Sequence, residues 1–401
     1  MRRHASGIVA LVALFVAVGP AGAAEAPKEV LLGTTMSLTG TFSLSAEKWG
    51  KMTEVFEQVV NARGGVMLRD AGKKVPVKFI YYDDKSVPAT AVQMYERLAT
   101  VDNVHVLVGP DWSPIGNAAS NVADKHQIPM LMANVLSPQI YARGYQWVFG
   151  TPMPGVEVWS DKYFDLLAQQ RPAPKTVAFL YADQPFARDV PVPARRKAES
   201  LGMQVVAFES FPPELKDFSS LLLKVKPLNP DILYISAFEE GIITVLRQVR
   251  DLDLNPKNIH TVMTSGKVIK ALGPDAELVT GELAWWYGMK TPKADLVDEI
   301  LRKSGVDLRE YIWTMSRLIS YMIMLDAVEK AGGLDRTKIR DALRTATFEM
   351  PIGPVKFERD GHAINPGYPT QVRKGDLVIL APPNLATAKF LYPSPAWRER
   401  K

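Results

Sequence analysis

From residue 29 onward the chain alternates short β-rich runs with stretches of helical spacing, and it completes that series twice. The runs EVLLGTTM, VPVKFIYYD, VHVLVG and IPMLMA read as strands. Between them lie SAEKWGKMTEVFEQVVNARGG, PATAVQMYERLATV and PIGNAASNVADKH; in the first, Trp49, Met52, Val55, Phe56 and Val59 share one helical face, and Gly64-Gly65 ends it. After YQWVFGTPMPG the rhythm resumes with strands TVAFLYAD, MQVVAFES, DILYISA and IHTVMTS and helices near 155–170, 187–201, 216–226 and 240–252. A βα series of this kind predicts α/β architecture: parallel sheets flanked by helices, here in two similar lobes joined around Phe149–Pro154 with a cleft between them. The last third carries a long helix across REYIWTMSRLISYMIMLDAVEKAGG and a second over RTKIRDALRTA, which must return to one of the lobes. Its methionines and aromatics at helical spacing read as core. The segments PIGPVKFERDGHAI and YPTQVRKGDLVIL are expected to form a terminal hairpin.

A length of 401 residues, 47% hydrophobic and 23% charged, suits two domains with substantial cores. The opening MRRHASGIVALVALFVAVGPAGAAEA has two arginines, an apolar run from Ile8 to Val18 and small residues at Ala21 and Ala23, so residues 1–23 read as a secretory signal. That run falls short of the roughly 20 apolar residues of a spanning helix. With no cysteine the chain has neither disulfides nor a lipid-attachment thiol, which points to a freely soluble exported protein. The net charge of +5, two units of it from Arg2 and Arg3, is scattered among acids; ARRKAE, the longest basic cluster, reads as a solvated helix face and not as a nucleic-acid surface.

Catalytic signatures are missing. His4, His105, His126, His260 and His362 are far apart in sequence and have no thiols to join them, so no metal motif can be assembled. There is no G-x-G-x-x-G, no G-x-S-x-G and no complete phosphate loop; TSGKV imitates the end of one, but Thr261 stands where its first glycine should be. An exported hydrolase or dehydrogenase would need such motifs, so neither an enzyme nor a cofactor is expected. Asp83-Asp84 and Glu239-Glu240 read as a turn and a helix start. The stretch LVGPDWSPIGNAAS raises a sharper question: a strand stops at Gly-Pro and a helix begins at Ser113. Helix starts leave unpaired N–H groups, so Ser113 either caps them or lends its hydroxyl to a bound group.

Several segments carry a family resemblance. LLGTTMSLTGTFSLSAEKWGKMTEVFEQVVNARGGV resembles the opening of type I periplasmic solute-binding proteins of the leucine/isoleucine/valine-binding branch, through Ser37 to Phe42 and Val60 to Gly65. YYDDKSVPATAVQMYERL, VHVLVGPDWSPIGNAASNVADKHQIPML and DILYISAFEEGIITVLRQVRDLDL are similar to further segments of that branch, in the same order. The resemblance implies two lobes that close around a small solute and present it to the permease subunits of an inner-membrane ABC transporter. It also implies three crossings, near 148–154, 279–285 and 348–354, which make one lobe of 27–149 plus 283–350 and another of 150–282 plus 351–401. One cleft within one chain implies a monomer. A receptor that reports its solute to a signalling system is the alternative reading of the same fold.

The site residues follow from that resemblance. In such proteins the helix start after the Gly-Pro turn and a serine there hold the solute's carboxylate, which assigns Ser113, with Trp112 beside it. The turn Asn134–Leu136 would offer backbone groups at Val135 and a side-chain amide at Asn134. Phe186 and Phe238 fall where the second lobe offers aromatic rings, although core packing explains them equally well. The acid that captures an amino acid's ammonium would be expected in MTSGKV, where Ser265, Gly266 and Lys267 stand. A cation there repels an ammonium and welcomes an anion. With Phe42, Trp49 and Trp285 as further apolar walls, a carboxylate on an aromatic or aliphatic body is favoured over a zwitterion.

Overall fold

The computed structural model describes residues 27–399 except 154, 284–290, 364–366 and 384–385. The segment read as a signal, and Trp285 with its neighbours Trp286 and Tyr287, lie outside these residues. Two sheets carry the molecule. The first holds five parallel strands in the order Val77–Asp83, Val30–Met36, Val106–Val108, Met130–Leu131 and Val148–Phe149. Its central strands are apolar on both faces, with Leu32, Val106, Leu107, Val108 and Met130 all buried, as a parallel strand covered by helices on each side requires. The second sheet runs Asp376–Ile379, Tyr368–Arg373, Thr280–Leu283, Asn258–Thr261, Ile232–Ser236, Thr176–Ala182 and Gln204–Phe211. Its last five members are parallel, and Tyr368–Arg373 joins them antiparallel.

The expected apolar stripe of Trp49, Met52, Val55, Phe56 and Val59 is buried along the helix Trp49–Ala62. That helix ends where Gly64 and Gly65 take φ of +97° and +76°. A Cβ on Gly65 would stand 2.0 Å from the carbonyl oxygen of Val75, so only glycine admits this turn. The preceding turn forms a separate short helix, Ser43–Ala46, and the break falls at Glu47 and Lys48.

The last third divides between the sheets. Thr314–Ala331 is buried at nearly every position and packs on the first lobe: Ser320 donates to the Met132 carbonyl at 3.0 Å, and the Trp49 indole donates to Thr314 Oγ1 at 3.0 Å. The core reading of its methionine and aromatic stripe therefore holds. Ala294–Ser304 lies against Trp49–Ala62, with Arg63 and Glu299 paired at 2.6 Å, and Arg336 of the helix Arg336–Thr345 donates to the Val104 carbonyl at 2.9 Å. The chain then returns to the second sheet, where the Trp397 indole donates to the Leu254 carbonyl at 2.7 Å. The single terminal hairpin expected from the sequence is instead two separate ones: Phe348–Met350 pairs with Gly353–Val355, and Tyr368–Arg373 with Asp376–Ile379. Each contains its own tight turn, at Gly353 (φ +96°) and at Lys374-Gly375 (φ +54° and +75°), so each strand finds its partner locally.

The second sheet buries an unsupported acid. Glu282 is fully buried, and neither carboxylate oxygen has a hydrogen-bond partner among the described residues. Burial pushes its carboxyl well above the usual range, a nearby Lys162 opposing and Asp161 adding to the shift. The same dry environment pushes His260, 3.8 Å away, down to about 3. A carboxyl whose folded-state pKa is raised stabilises fully below its unfolded pKa and loses that contribution as pH rises toward the folded value. Glu282→Gln is therefore expected to raise the unfolding free energy at pH 7 and leave it nearly unchanged near pH 4, which urea unfolding at both pH values checks.

Candidate functional site

The strand Val106–Val108 ends at Gly109, and the helix Ser113–His126 starts four residues further on, so Asp111 and Trp112 occupy the corner between them. Both side chains turn inward, Asp111 1% and Trp112 3% exposed. Asp111 is held by Arg317, which is itself fully buried, and by the amide of Asn134. The guanidinium also donates to Thr34 Oγ1 at 3.1 Å, to the Tyr321 hydroxyl at 2.8 Å and to the Thr35 carbonyl at 2.9 Å, and it lies 4.9 Å from the centre of the Trp49 ring. A buried ion pair is tolerable only with this degree of satisfaction.

Anchoring Asp111 constrains its neighbour. Trp112 takes φ +68°, a region an L side chain occupies at a cost of about 1–3 kcal/mol. Its ring is sandwiched between Phe42 at 5.1 Å and Trp49 at 5.7 Å. Phe42 meets Phe238 at 5.3 Å, Phe238 meets Phe186 at 6.0 Å, Phe186 meets Trp159 at 5.2 Å, and Trp159 meets Trp313 at 6.2 Å. This run of rings passes from one lobe to the other and back.

Two spaces flank the rings. An inner cavity of about 20 Å³ is lined by Trp112, Ser113, Asn134, Leu136, Phe186, Phe238, Met263 and Trp313. An outer cavity of about 450 Å³ opens between the lobes, bounded by Thr41, Phe42, Ser45 and Ser86 on one side and by Gln184, Phe238, Glu239 and Met263 on the other. The indole nitrogens of Trp112, Trp159 and Trp313 are buried and have no acceptor among the described residues.

The structure thus brings together Trp112, Ser113, Asn134, Phe186 and Phe238 around the inner cavity, and places Phe42 on the outer one. Ser113 Oγ accepts from the N–H groups of Leu136 and Ser137, both at 3.1 Å, which leaves its proton free to donate. The expectation that the Asn134–Leu136 turn offers its own backbone needs correction. Val135 N–H donates to Thr151 Oγ1 at 2.8 Å, and Asn134 is spent on Asp111 and Ser316, so the turn is tied up supporting the corner. Lys267 also needs correction. It bonds the Leu44 carbonyl and Glu47, the latter at 3.1 Å, and lies over Tyr311 at 4.2 Å, so its charge is engaged across the lobe junction and is not among the groups lining either cavity. Ser265 is buried as the N-cap of Gly266–Leu272, accepting from Val268 N–H.

Sequence reasoning passed over Glu239. It begins the helix Glu239–Asp251 directly after the strand Ile232–Ser236, the same strand-to-helix position in the second lobe that Ser113 holds in the first. It is 4% exposed, its Oε2 accepts from Ser45 Oγ of the other lobe at 2.6 Å, and its Oε1 accepts no close hydrogen bond among the described residues. Burial pushes its carboxyl up, while Ser265 and Ser45 pull the other way. Further cross-lobe bonds join Ser137 Oγ to Asp189 at 2.7 Å and Gly266 N–H to the Arg309 carbonyl at 2.5 Å.

A profile described as periplasmic binding protein matches residues 29–376. The chain belongs to the periplasmic binding protein family. Among its relatives, a leucine-, isoleucine-, valine-, threonine- and alanine-binding protein of Pseudomonas aeruginosa is 24% identical, over 76% of this chain and 79% of the relative. A leucine-binding protein of Thermotoga maritima superposes with TM-score 0.76 at 22% identity, over 88% of this chain and 98% of the other. A solute-binding protein from R. palustris, solved with benzoate, superposes with TM-score 0.75 at 18% identity, over 92% and 97%. Members of the periplasmic binding protein family are solute-binding proteins, and those serving ABC transporters deliver small molecules to permeases.

In this periplasmic binding protein the corner at Asp111 depends on Arg317. Arg317→Met should cost about 3–5 kcal/mol of stability by stranding a buried carboxylate. The double change Arg317→Met with Asp111→Asn should recover most of it. Urea unfolding of the two variants checks both.

Proposed function

We infer that this chain is the exported receptor of an ABC importer, and that it closes on a small solute with a flat or branched apolar body ending in a carboxylate. The observation that carries this reading is the wall of the cleft around the inner cavity: aromatic rings from both lobes, the indole N–H groups of Trp112 and Trp313 without acceptors among the described residues, and a serine hydroxyl with its proton free, with the outer cavity of about 450 Å³ sharing Trp112, Phe238 and Met263 to give room for the solute's body. Donors without partners in a dry, ring-lined space suit an anionic or strongly accepting group. The start of the helix Ser113–His126 adds its dipole to the same end. The binding of leucine by one relative and of benzoate by another marks the range within which such a body falls.

On this reading residues 1–23 direct export to the periplasm, the lobes comprise 27–149 plus 283–350 and 150–282 plus 351–401, and the receptor acts as a monomer without catalysis. Phe186, Phe238, Trp112 and Phe42 form the apolar walls. Ser113 is the polar anchor, held in place by the N–H groups of Leu136 and Ser137. Solute contacts shared between the lobes favour the closed form, as in any hinge that closes around a ligand.

A thermal-shift screen of the mature chain with aliphatic and aromatic carboxylates tests this. A solute at one hundred times its Kd adds about 2.7 kcal/mol, a rise of a few degrees. Ser113→Ala should weaken binding of a carboxylate hit roughly tenfold or more, because a hydrogen bond to a charged group contributes about 1.5–3 kcal/mol; unchanged affinity by calorimetry would remove Ser113 from the site.

A further inference from the structure

Two segments of chain pass from the first sheet to the second and meet side by side. One leaves the strand Val148–Phe149 and reaches the helix Asp161–Ala168. The other leaves the strand Gly353–Val355, just before Phe357 meets Phe149 at 5.4 Å, and reaches the strand Tyr368–Arg373. Their backbones are joined where Gly150 N–H donates to the Gly361 carbonyl at 2.7 Å. His362 stands at this seam, 8% exposed, and its Nε2 is buried with no hydrogen-bond partner among the described residues. Glu157 Oε2, on the other segment, is 3.9 Å from that nitrogen. Gly155 makes the room: a Cβ there would lie 2.7 Å from Glu157 Oε2 and 3.3 Å from His362 Nε2.

The titratable groups that face the imidazole are two acids and a phenol. Glu157 comes from the first segment, and Asp360, on the same segment as His362, accepts the His362 backbone N–H at 3.0 Å. Tyr141, from the first-lobe turn Tyr141–Arg143, stacks on the ring at 4.8 Å and 19°. Burial pushes the Tyr141 hydroxyl up, and the charges of Asp360 and Glu157 add to the shift. Tyr141 also connects this seam to the cleft. Its hydroxyl donates to the Val135 carbonyl at 3.2 Å, and the next residue, Leu136, gives its N–H to Ser113 Oγ. Ser137, four residues before Tyr141, bonds Asp189 of the second lobe at 2.7 Å. A change at the stack therefore acts on the stretch of chain that carries both the anchor's support and a bond across the lobes.

We propose that His362 is a pH-sensing positioning residue of the hinge: its imidazolium, bonded to Glu157 and stacked on Tyr141, clamps the two connecting segments and favours the closed arrangement of the lobes as the medium acidifies. This extends the receptor reading and does not depend on the class of solute. Histidine is the side chain whose ordinary titration falls between about pH 5 and 8. Its charged form would give Nε2 a proton to donate to a carboxylate and set a cation on an aromatic face. The clamped form binds that proton more tightly than the open one, so it gains population as pH falls and loses it as pH rises.

Interlobe distances test the proposal. The chain has no cysteine, so Val87→Cys and Leu223→Cys, at exposed positions on the first and second lobes, take spin labels at those two places alone. Pulsed electron spin resonance of the mature labelled chain is expected to show the shorter distance gaining about fivefold or more over the longer between about pH 8 and pH 5.5. His362→Phe, which keeps a ring on Tyr141 and cannot titrate, should hold one distribution across that range, and Glu157→Gln should remove about half of the change or more. A labelled parent whose distances ignore pH, or a response that survives His362→Phe in a chain whose thermal unfolding shows it folded, would overturn the proposal. His362→Gln answers the same question if the phenylalanine variant does not fold. The distances are read without solute, so failure of the carboxylate reading in the thermal-shift screen leaves this result standing, and the reverse.

Discussion

The corner of the first lobe exists because a single guanidinium is available to neutralise it. Arg317 reaches from the first turn of the buried helix Thr314–Ala331 and closes on Asp111, a residue 206 positions away. It satisfies two threonines and a tyrosine on the way. Asp111 in turn takes the Asn134 amide, which fixes the neighbouring turn, and that turn directs two N–H groups onto Ser113. A charge pair in the dry interior adds little net stability, but once either partner is present the other is obligatory, and this gives one geometry to the loop that carries the candidate anchor. The final third of the chain thereby governs a site that most of its residues never touch.

The rings do a second job. Trp112 sits on strained backbone, and its stacking against Trp49 and Phe42 is what holds it there. The same stack continues through Phe238 and Phe186, so the surface that lines the cleft is also the surface along which the lobes meet. Ring pairs of this kind contribute about 0.5–1.5 kcal/mol each beyond the area they bury. The junction therefore draws its cohesion from the same side chains that face the cleft.

Much of this fold was legible in the sequence because parallel α/β units write themselves locally: apolar runs of strand length, helical stripes and glycine stops recur in order, and each strand named from sequence is a strand in the structure. The terminal hairpin was misread because its turns, at Gly353 and at Lys374-Gly375, pair each strand with its immediate neighbour. The site was legible only in part. Ser113, Trp112, Phe186 and Phe238, named from the resemblance, line one cavity in the structure because each stands in a loop or helix start just beyond a strand end. Arg317 left a signal, a lone arginine in WTMSRLISYMIML, which in a buried helix demands an acid somewhere, but its partner could not be named without the fold. Lys267 misled because charge in a turn says nothing about direction: the ammonium points to Glu47, not to the cleft. Glu239 was hidden by its position, since acids at helix starts are ordinary on electrostatic grounds.

The bonds that cross the lobe junction have a consequence for traffic at the membrane. Lys267 to Glu47, Ser45 to Glu239, Ser137 to Asp189 and Gly266 to Arg309 tie one lobe directly to the other. Each such latch lowers the closure that a solute's own contacts must drive, so the apparent affinity of a site in a hinge of this kind depends on residues that never touch the solute. A substitution in a latch would then change how readily a permease meets the closed outline, while the chemistry of the cleft stays the same.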